Sequence, residues 1–300
     1  MKNLIYRTIF GALFVAIMVF GICWSPLTLI LLFALILGGT LQEYCNLVNA
    51  LEGVRVNPFI TCIAGICFYL GIAGQKVGIT GGVAFAPFLL NILYLIISEL
   101  YAKQKNPINN WAYTMFGLIY IALPFSLVLE LAFQPVDALH VGFDWLLPLS
   151  IFIFLWINDT GAYCFGSLLG RHKLFPRISP GKSWEGSIGG GITVLLVAAV
   201  LGYYSQNTLT LSGATASSSP TGGGWEGVLS TLVWMGLGLI VVVFGTLGDL
   251  VESLFKRTLG IKDSGNIIPG HGGMLDRFDS SLMAIPAAAI YLYVLSLIHL

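Results

Sequence analysis

The stretch Leu229-Ser-Thr-Leu-Val-Trp-Met-Gly-Leu-Gly-Leu-Ile-Val-Val-Val-Phe-Gly-Thr-Leu-Gly-Asp249-Leu250 is long enough to cross the hydrocarbon of a bilayer and carries a single formal charge, Asp249, near its end. Working outward from it, comparable apolar segments recur through the chain, at about 7–23, 26–48, 58–74, 82–98, 111–133, 145–169, 186–204 and 278–298. The composition agrees, because 57% of the 300 residues are hydrophobic and 9% are charged, against about 25% charged in soluble domains. Lipid, rather than a private core, is the solvent such a chain requires. The expected fold is all-α, a polytopic membrane protein of about nine transmembrane helices in one membrane domain over 1–300. Within it, 1–140 holds N-terminal helices of undefined role, and 145–300 holds the chemistry-bearing helices with loops 170–185 and 251–277. Gly and Pro inside the spans, such as Pro87, Pro124 and Pro286, do not exclude helices in a membrane.

Lys and Arg set the expected orientation. With the N-terminus in the cytosol, thirteen of the fourteen basic residues fall on the cytosolic side and Lys76 alone falls outside. An odd number of spans then puts the C-terminus outside, in a cell (inner) membrane. The first apolar run, after Lys2 and Arg7, lacks a small-x-small cleavage pattern before Trp24-Ser25-Pro26 and is read as a retained span. The outer segment 205–228, rich in Ser, Thr and Gly, reads as a flexible connector. The five cysteines show no C-x-x-C pairing and read as packing residues, and nothing points to a nucleic-acid partner.

The chemistry concentrates just beyond the opening stretch. If that helix continues, Asp249, Ser253 and Lys256 stand at i, i+4 and i+7 on one face. Across the loop, Asp276 and Asp279 share one side of the next helix's first turn, giving three carboxylates at one membrane depth. Hard Mg²⁺ takes oxygen ligands and sits between a few carboxylates and substrate phosphates, an arrangement suited to phosphoryl or nucleotidyl transfer. Pro269-Gly270-His271-Gly272-Gly273 offers backbone N–H groups to phosphate at a helix N-terminus, and Lys256, Arg257, Lys262 and Arg277 supply countercharge. Taken singly, these residues have ordinary explanations, since basic loops mark the cytosolic side and acids cap helix starts. An acid at the edge of hydrocarbon, costing about 2.5–3.5 kcal/mol on insertion scales, points to function.

A second group lies between spans six and seven. Asn158-Asp159-Thr160-Gly-Ala-Tyr163 places an acid about ten residues, roughly 15 Å of helix, before the expected span end, so Asp159 should line a polar cavity. Ser179-Pro-Gly-Lys182-Ser183-Trp184-Glu185-Gly186 follows. Its Gly-Lys-Ser is not a P-loop, because Pro176 stands where the first glycine belongs. Glu43 and Glu130 also lie within spans and read as structural or interfacial.

Segment 253–279 resembles the signature of the phosphatidate cytidylyltransferases, or CDP-diacylglycerol synthases. Ser253, Lys256-Arg257, Lys262-Asp263, Gly265, Pro269, His271-Gly272-Gly273, Met274, Asp276-Arg277, Phe278 and Asp279 match at every fixed position. Asn158–Tyr163 and Ser179–Gly186 are similar to the same family, with Gly181 and Ser183 where it often has Lys and Thr. The resemblance implies transfer of CMP from CTP to phosphatidic acid, giving CDP-diacylglycerol and pyrophosphate. It further implies Mg²⁺, a monovalent cation such as K⁺, and a homodimer. Carried over residue by residue, Asp249, Asp276 and Asp279 would hold metal with Ser253 as an added ligand. Lys256, Arg257, Lys262, His271 and Arg277 would be catalytic, while Asp159, Lys182, Gly272 and Gly273 would bind substrate. Two rivals stand beside this reading: a CTP-dependent enzyme for another lipid phosphate or lipid alcohol, and an ion-coupled transporter. A transporter's acids should line a route through the bilayer, whereas here the richest cluster lies on one face.

Overall fold

A computed structural model of the chain describes residues 2–78, 81–135, 141–204, 225–265 and 272–298. Ten α-helices follow in order: α1 (Lys2–Cys23), α2 (Pro26–Val48), α3 (Pro58–Val77), α4 (Ala86–Ala102), α5 (Pro107–Gly117), α6 (Leu123–Ala132), α7 (Leu146–Leu169), α8 (Trp184–Tyr204), α9 (Trp225–Thr258) and α10 (Leu275–Leu297). A 3₁₀ turn, Gly82–Phe85, leads into α4, and a widened π turn, Leu118–Ala122, joins α5 to α6 as one span. That wide turn directly precedes Pro124, whose missing N–H and bulky ring forbid a regular bond to the carbonyl of Tyr120. Among the described residues, eight helices are long and apolar enough to cross a membrane, and Thr8–Cys23 of α1 is a shorter apolar helix. The all-α, polytopic membrane architecture is therefore present. Two short antiparallel hairpins add to it, β1 (Phe133–Pro135) with β2 (Val141–Phe143) and β3 (Lys173–Phe175) with β4 (Ser179–Ser183).

Local chemistry starts the helices where the sequence changes character. Ser25 and Thr28 form a reciprocal capping box at α2, with Thr28 N donating to Ser25 Oγ at 3.1 Å and Ser25 N donating to Thr28 Oγ1 at 3.0 Å. Asn57 and Asn106 cap α3 and α5, each followed by a proline at the first helical position. Glu130 of α6 pairs with Lys76 of α3 at 2.5 Å. Many large apolar side chains point away from the protein, among them Leu35, Leu100, Leu168 and Leu196, as expected where lipid replaces water. The segment 205–224, most of the expected outer connector, lies outside the described residues.

Two packing features position the chemistry. An aromatic cluster converges on Phe278 near the start of α10: Phe14 of α1, Phe125 of α6 and Phe152 of α7 lie 5.8, 5.4 and 6.3 Å from it, centroid to centroid. Phe33 of α2 packs on Phe125 and Phe152 at 6.0 and 5.8 Å. Edge-on aromatic pairs of this kind are each worth about 0.5–1.5 kcal/mol beyond area burial, so Arg277 and Asp279, which flank Phe278, start from a fixed backbone. Small residues then let helices approach closely. A Cβ on Gly190 of α8 would stand 2.7 Å from the carbonyl oxygen of Asn158, and one on Gly248 of α9 would stand 2.7 Å from that of Asp279. Glycine at 248 is what allows α9 and α10 to bring Asp249 and Asp279 onto one cavity.

Candidate active site

Two cavities of about 380 Å³ each meet at Asp159 and Asp249, which line both. The first has an apolar wall of Phe14, Val15, Phe152, Leu155 and Trp156, and a polar wall of Asp159, Asp249, Asp276, Arg277, Asp279, Ser280 and Ser281. The second is narrowed by few large side chains; its wall includes Asn158, Gly166, Gly181, Lys182, Ser183, Gly186 and Thr246. Asp159 is inside α7, ten residues before that helix ends at Leu169, and faces the cavities.

Helix α9 runs without a break to Thr258, so Asp249, Ser253 and Lys256 do share a face. Ser253 Oγ donates to Asp249 Oδ1 at 3.2 Å, and Lys182 Nζ of β4 lies 2.5 Å from Asp249 Oδ2. The hairpin that delivers Lys182 is pinned to the first turn of α8 by Glu185. The Glu185 carboxylate accepts from Arg171 N at 3.1 Å and His172 N at 3.2 Å, and contacts His172 Nδ1 at 2.6 Å. Lys182 thus belongs to the same ion-pair system as Asp249, a neighbour that the sequence reading kept in a separate group.

Asp276 makes three contacts within its own chain. Its Oδ1 takes Lys256 Nζ at 2.7 Å, and its Oδ2 accepts from Ser264 N at 3.0 Å and Gly273 N at 2.8 Å. Asp249, Asp276 and Asp279 all line the first cavity, with Asp276 also bonded to the loop amides and Asp249 paired to Lys182. Among the described residues, no three His, Cys, Asp or Glu side chains are grouped to hold a metal ion. Of the two glycines expected to bind phosphate, Gly273 has its N–H engaged within the chain. The Gly273 N–H is given to Asp276, and the next two N–H groups, of Met274 and Leu275, are given to Glu43 at 2.7 and 3.2 Å. The N-terminus of α10 therefore already holds two carboxylates of its own chain. Glycine is required here for space: a Cβ on Gly273 would collide with the Glu43 carboxylate, and Gly272 has φ +83°, with a Cβ that would lie 2.6 Å from Asp276 Oδ2.

Lys256 bridges two acids, since its Nζ also lies 2.6 Å from Glu252 Oε2. Glu252 is fully buried, and among the described residues it has no partner besides Lys256. Arg257 is exposed and donates to the carbonyl of Ile261 at 3.4 Å, Lys262 is exposed, and Arg277 lines the first cavity. Pro269 and His271 lie outside the described residues. Sequence reasoning missed Glu252, although its i, i+4 spacing to Lys256 was a usable signal. It also left Glu43 without a partner, because that partner lies more than two hundred residues away.

Comparison with known proteins bears on this arrangement. The family model of the cytidylyltransferase family matches residues 5–295. A phosphatidate cytidylyltransferase of Staphylococcus aureus is 33% identical over 253 residues, covering 84% of this chain and 85% of the relative. One of Staphylococcus haemolyticus is 34% identical over 270 residues, covering 88% and 90%, and one of Haemophilus influenzae is 35% identical over 245 residues, covering 76% and 77%.

Proposed function

The chain belongs to the cytidylyltransferase family, and on that premise we propose that it is a membrane nucleotidyltransferase of phospholipid biosynthesis. It transfers CMP from CTP to phosphatidic acid, forming CDP-diacylglycerol and pyrophosphate. The observation that carries this reading is the first cavity, whose wall is aromatic and aliphatic on one side and carboxylate and guanidinium on the other. Such a cavity suits an acyl-bearing phosphate meeting a nucleotide near the headgroup plane. Two acyl chains leave hydrocarbon only at about 0.8 kcal/mol per CH₂, and a triphosphate does not enter it.

In the reaction, an oxygen of the lipid phosphate forms a bond to the α-phosphorus of CTP, and the bond from that phosphorus to the β-bridging oxygen breaks, releasing pyrophosphate. A phosphate monoester has a second pKa near 6, so the nucleophile is already anionic and no strong base is needed. The work of the site is to bring two anions together and hold them in line. Lys182 takes the lipid phosphate, exchanging its contact with Asp249 for it. Arg277, Lys256, Arg257 and Lys262 neutralise the triphosphate and the departing pyrophosphate. Asp276 and Glu252 hold Lys256 in place.

The donor set fits Mg²⁺ recruited together with a nucleotide rather than caged in advance, since Mg²⁺ commonly takes one or two carboxylates plus substrate phosphates. Asp249 and Asp279 on the shared cavity, with Ser253 beside Asp249, are the residues that would hold it, next to a monovalent cation such as K⁺. Bound there, Mg²⁺ would offset phosphate charge. The protein would work as a homodimer in the cell (inner) membrane, with its N-terminus and active site on the cytosolic side. The pairing of Lys76 with Glu130 supports this orientation, because it neutralises the one basic residue assigned to the other side.

Purified protein in mixed micelles, given labelled CTP and a panel of lipid phosphates and lipid alcohols, tests the reading. Phosphatidic acid is expected to become labelled with release of one pyrophosphate. Label in a lipid alcohol, or in no lipid at all, overturns it.

A further inference from the structure

We propose that Glu43, in the N-terminal half of the chain, is a positioning residue of the transfer site that ties Ser264, beyond the end of α9, to the start of α10 at Met274 and Leu275. Glu43 is 5% exposed and belongs to α2, a helix that carries none of the signature residues. Its carboxylate nevertheless accepts from Ser264 Oγ at one end of the loop and from Met274 N (2.7 Å) and Leu275 N (3.2 Å) at the other. A buried carboxylate is costly unless its lone pairs are matched by donors, and all three donors here come from one loop. The result is a clasp between two chain positions ten residues apart, made by a third element.

Two further features show that the residues at 264–265 and 273–276 are arranged around this carboxylate. Gly265 and Gly273 leave the room that it fills, since a Cβ on Gly265 would stand 2.9 Å from Glu43 Oε2 and one on Gly273 would overlap Oε1. Asp276 repeats the clasp from inside α10 by accepting from Ser264 N and Gly273 N, and passes it to Lys256. Fixing Met274 and Leu275 therefore fixes Asp276, and through it Lys256, together with Arg277 and Asp279 one turn on. Glutamate is specific to the task. A glutamine would turn an N–H₂ toward at least one N–H or hydroxyl donor, converting an attraction into a repulsion.

This inference rests on the reading of Lys256, Arg277 and Asp279 as the groups that meet the triphosphate, while Lys182, on the hairpin before α8, meets the lipid. Glu43→Gln is then expected to lower kcat/KM for CTP about 10- to 100-fold, the scale of a charge-assisted hydrogen bond lost at a site. The KM for phosphatidic acid should stay within about 2-fold, and Glu43→Asp should recover part of the loss. Hydrogen exchange of full-length protein without substrate gives an independent measure. A peptide covering 272–279 should exchange at least about 10-fold faster in Glu43→Gln, while one covering 284–294 keeps its rate. Unchanged exchange at 272–279, unchanged kcat/KM for CTP, or an equal rise in both KM values overturns the proposal. If Glu43→Gln does not fold, Ser264→Ala removes only the hydroxyl arm and is held to the same two measurements, with about 3- to 10-fold effects expected. A wild-type protein that transfers no CMP would refute the functional reading instead, and the exchange measurement would still decide the clasp.

Discussion

Replacing Lys256 by alanine probes the most heavily buried charges in the site. The lysine side chain is 14% exposed, and its two partners, Glu252 and Asp276, are 0% and 7% exposed. Removing one member of a buried ion pair costs about 3–5 kcal/mol, mostly because a charge is left without compensation. The two acids differ in what they have left. Asp276 keeps the N–H groups of Ser264 and Gly273, whereas Glu252 has no other partner among the described residues. Most of the cost should therefore fall on Glu252. Lys256→Ala is expected to lose about 3–5 kcal/mol, which at about 2–4 °C per kcal/mol lowers Tm by roughly 6–20 °C. Adding Glu252→Gln should restore more than half of that loss without restoring CMP transfer, because the cation for pyrophosphate is still missing. Thermal unfolding in detergent and turnover in micelles, measured on the same preparations, separate the two roles. A single variant with wild-type Tm refutes the buried triad, and a double variant with recovered turnover refutes a part for Lys256 in the chemistry.

Asp279→Asn should abolish turnover in a protein that extracts and unfolds like wild type, and raising Mg²⁺ should not restore it; near-normal Mg²⁺-dependent activity would remove Asp279 from the metal assignment. Lys182→Ala should chiefly raise the KM for phosphatidic acid and Lys262→Ala the KM for CTP, so equal effects on both substrates, with each varied separately, would contradict the division of labour between hairpin and loop. A reporter fused after Leu300 should signal from outside the cytosol, and a cytosolic signal would contradict the odd number of spans.

The membrane architecture was readable in the sequence because its signal is long. Twenty apolar residues in a row leave few alternatives, and among the described residues eight of the expected spans appear as helices of sufficient length and hydropathy. The hairpin of β3 and β4 was not readable. Lys173–Phe175 and Ser179–Ser183 are too short and too polar to show an alternating pattern, and Pro180 would argue against a strand that was not at an edge. The motif positions were legible in the same one-dimensional way, as residue types at fixed spacings. Side-chain partners were not, because spacing places a residue on a helix face and says nothing of the element opposite.

Asp276 illustrates the difference. Three residues from Asp279 at the start of a helix, it satisfies the spacing expected of a metal-binding pair, yet its oxygens turn back to the loop amides and to Lys256. Two physical demands compete for an acid at that position. A helix N-terminus attracts a carboxylate through its free N–H groups, and a nucleotide site attracts one through its metal. Where the chain supplies two acids one turn apart, the first can serve the helix and the second the ligand. Asp276 then fixes the backbone on which Asp279 reaches the cavity. Glu43 performs the same service from a distant helix, so Gly265, Gly272 and Gly273 make room for the protein's own carboxylates, and on the proposed function the substrate phosphates would meet the cavity lined by Asp159, Asp249, Asp279 and Arg277.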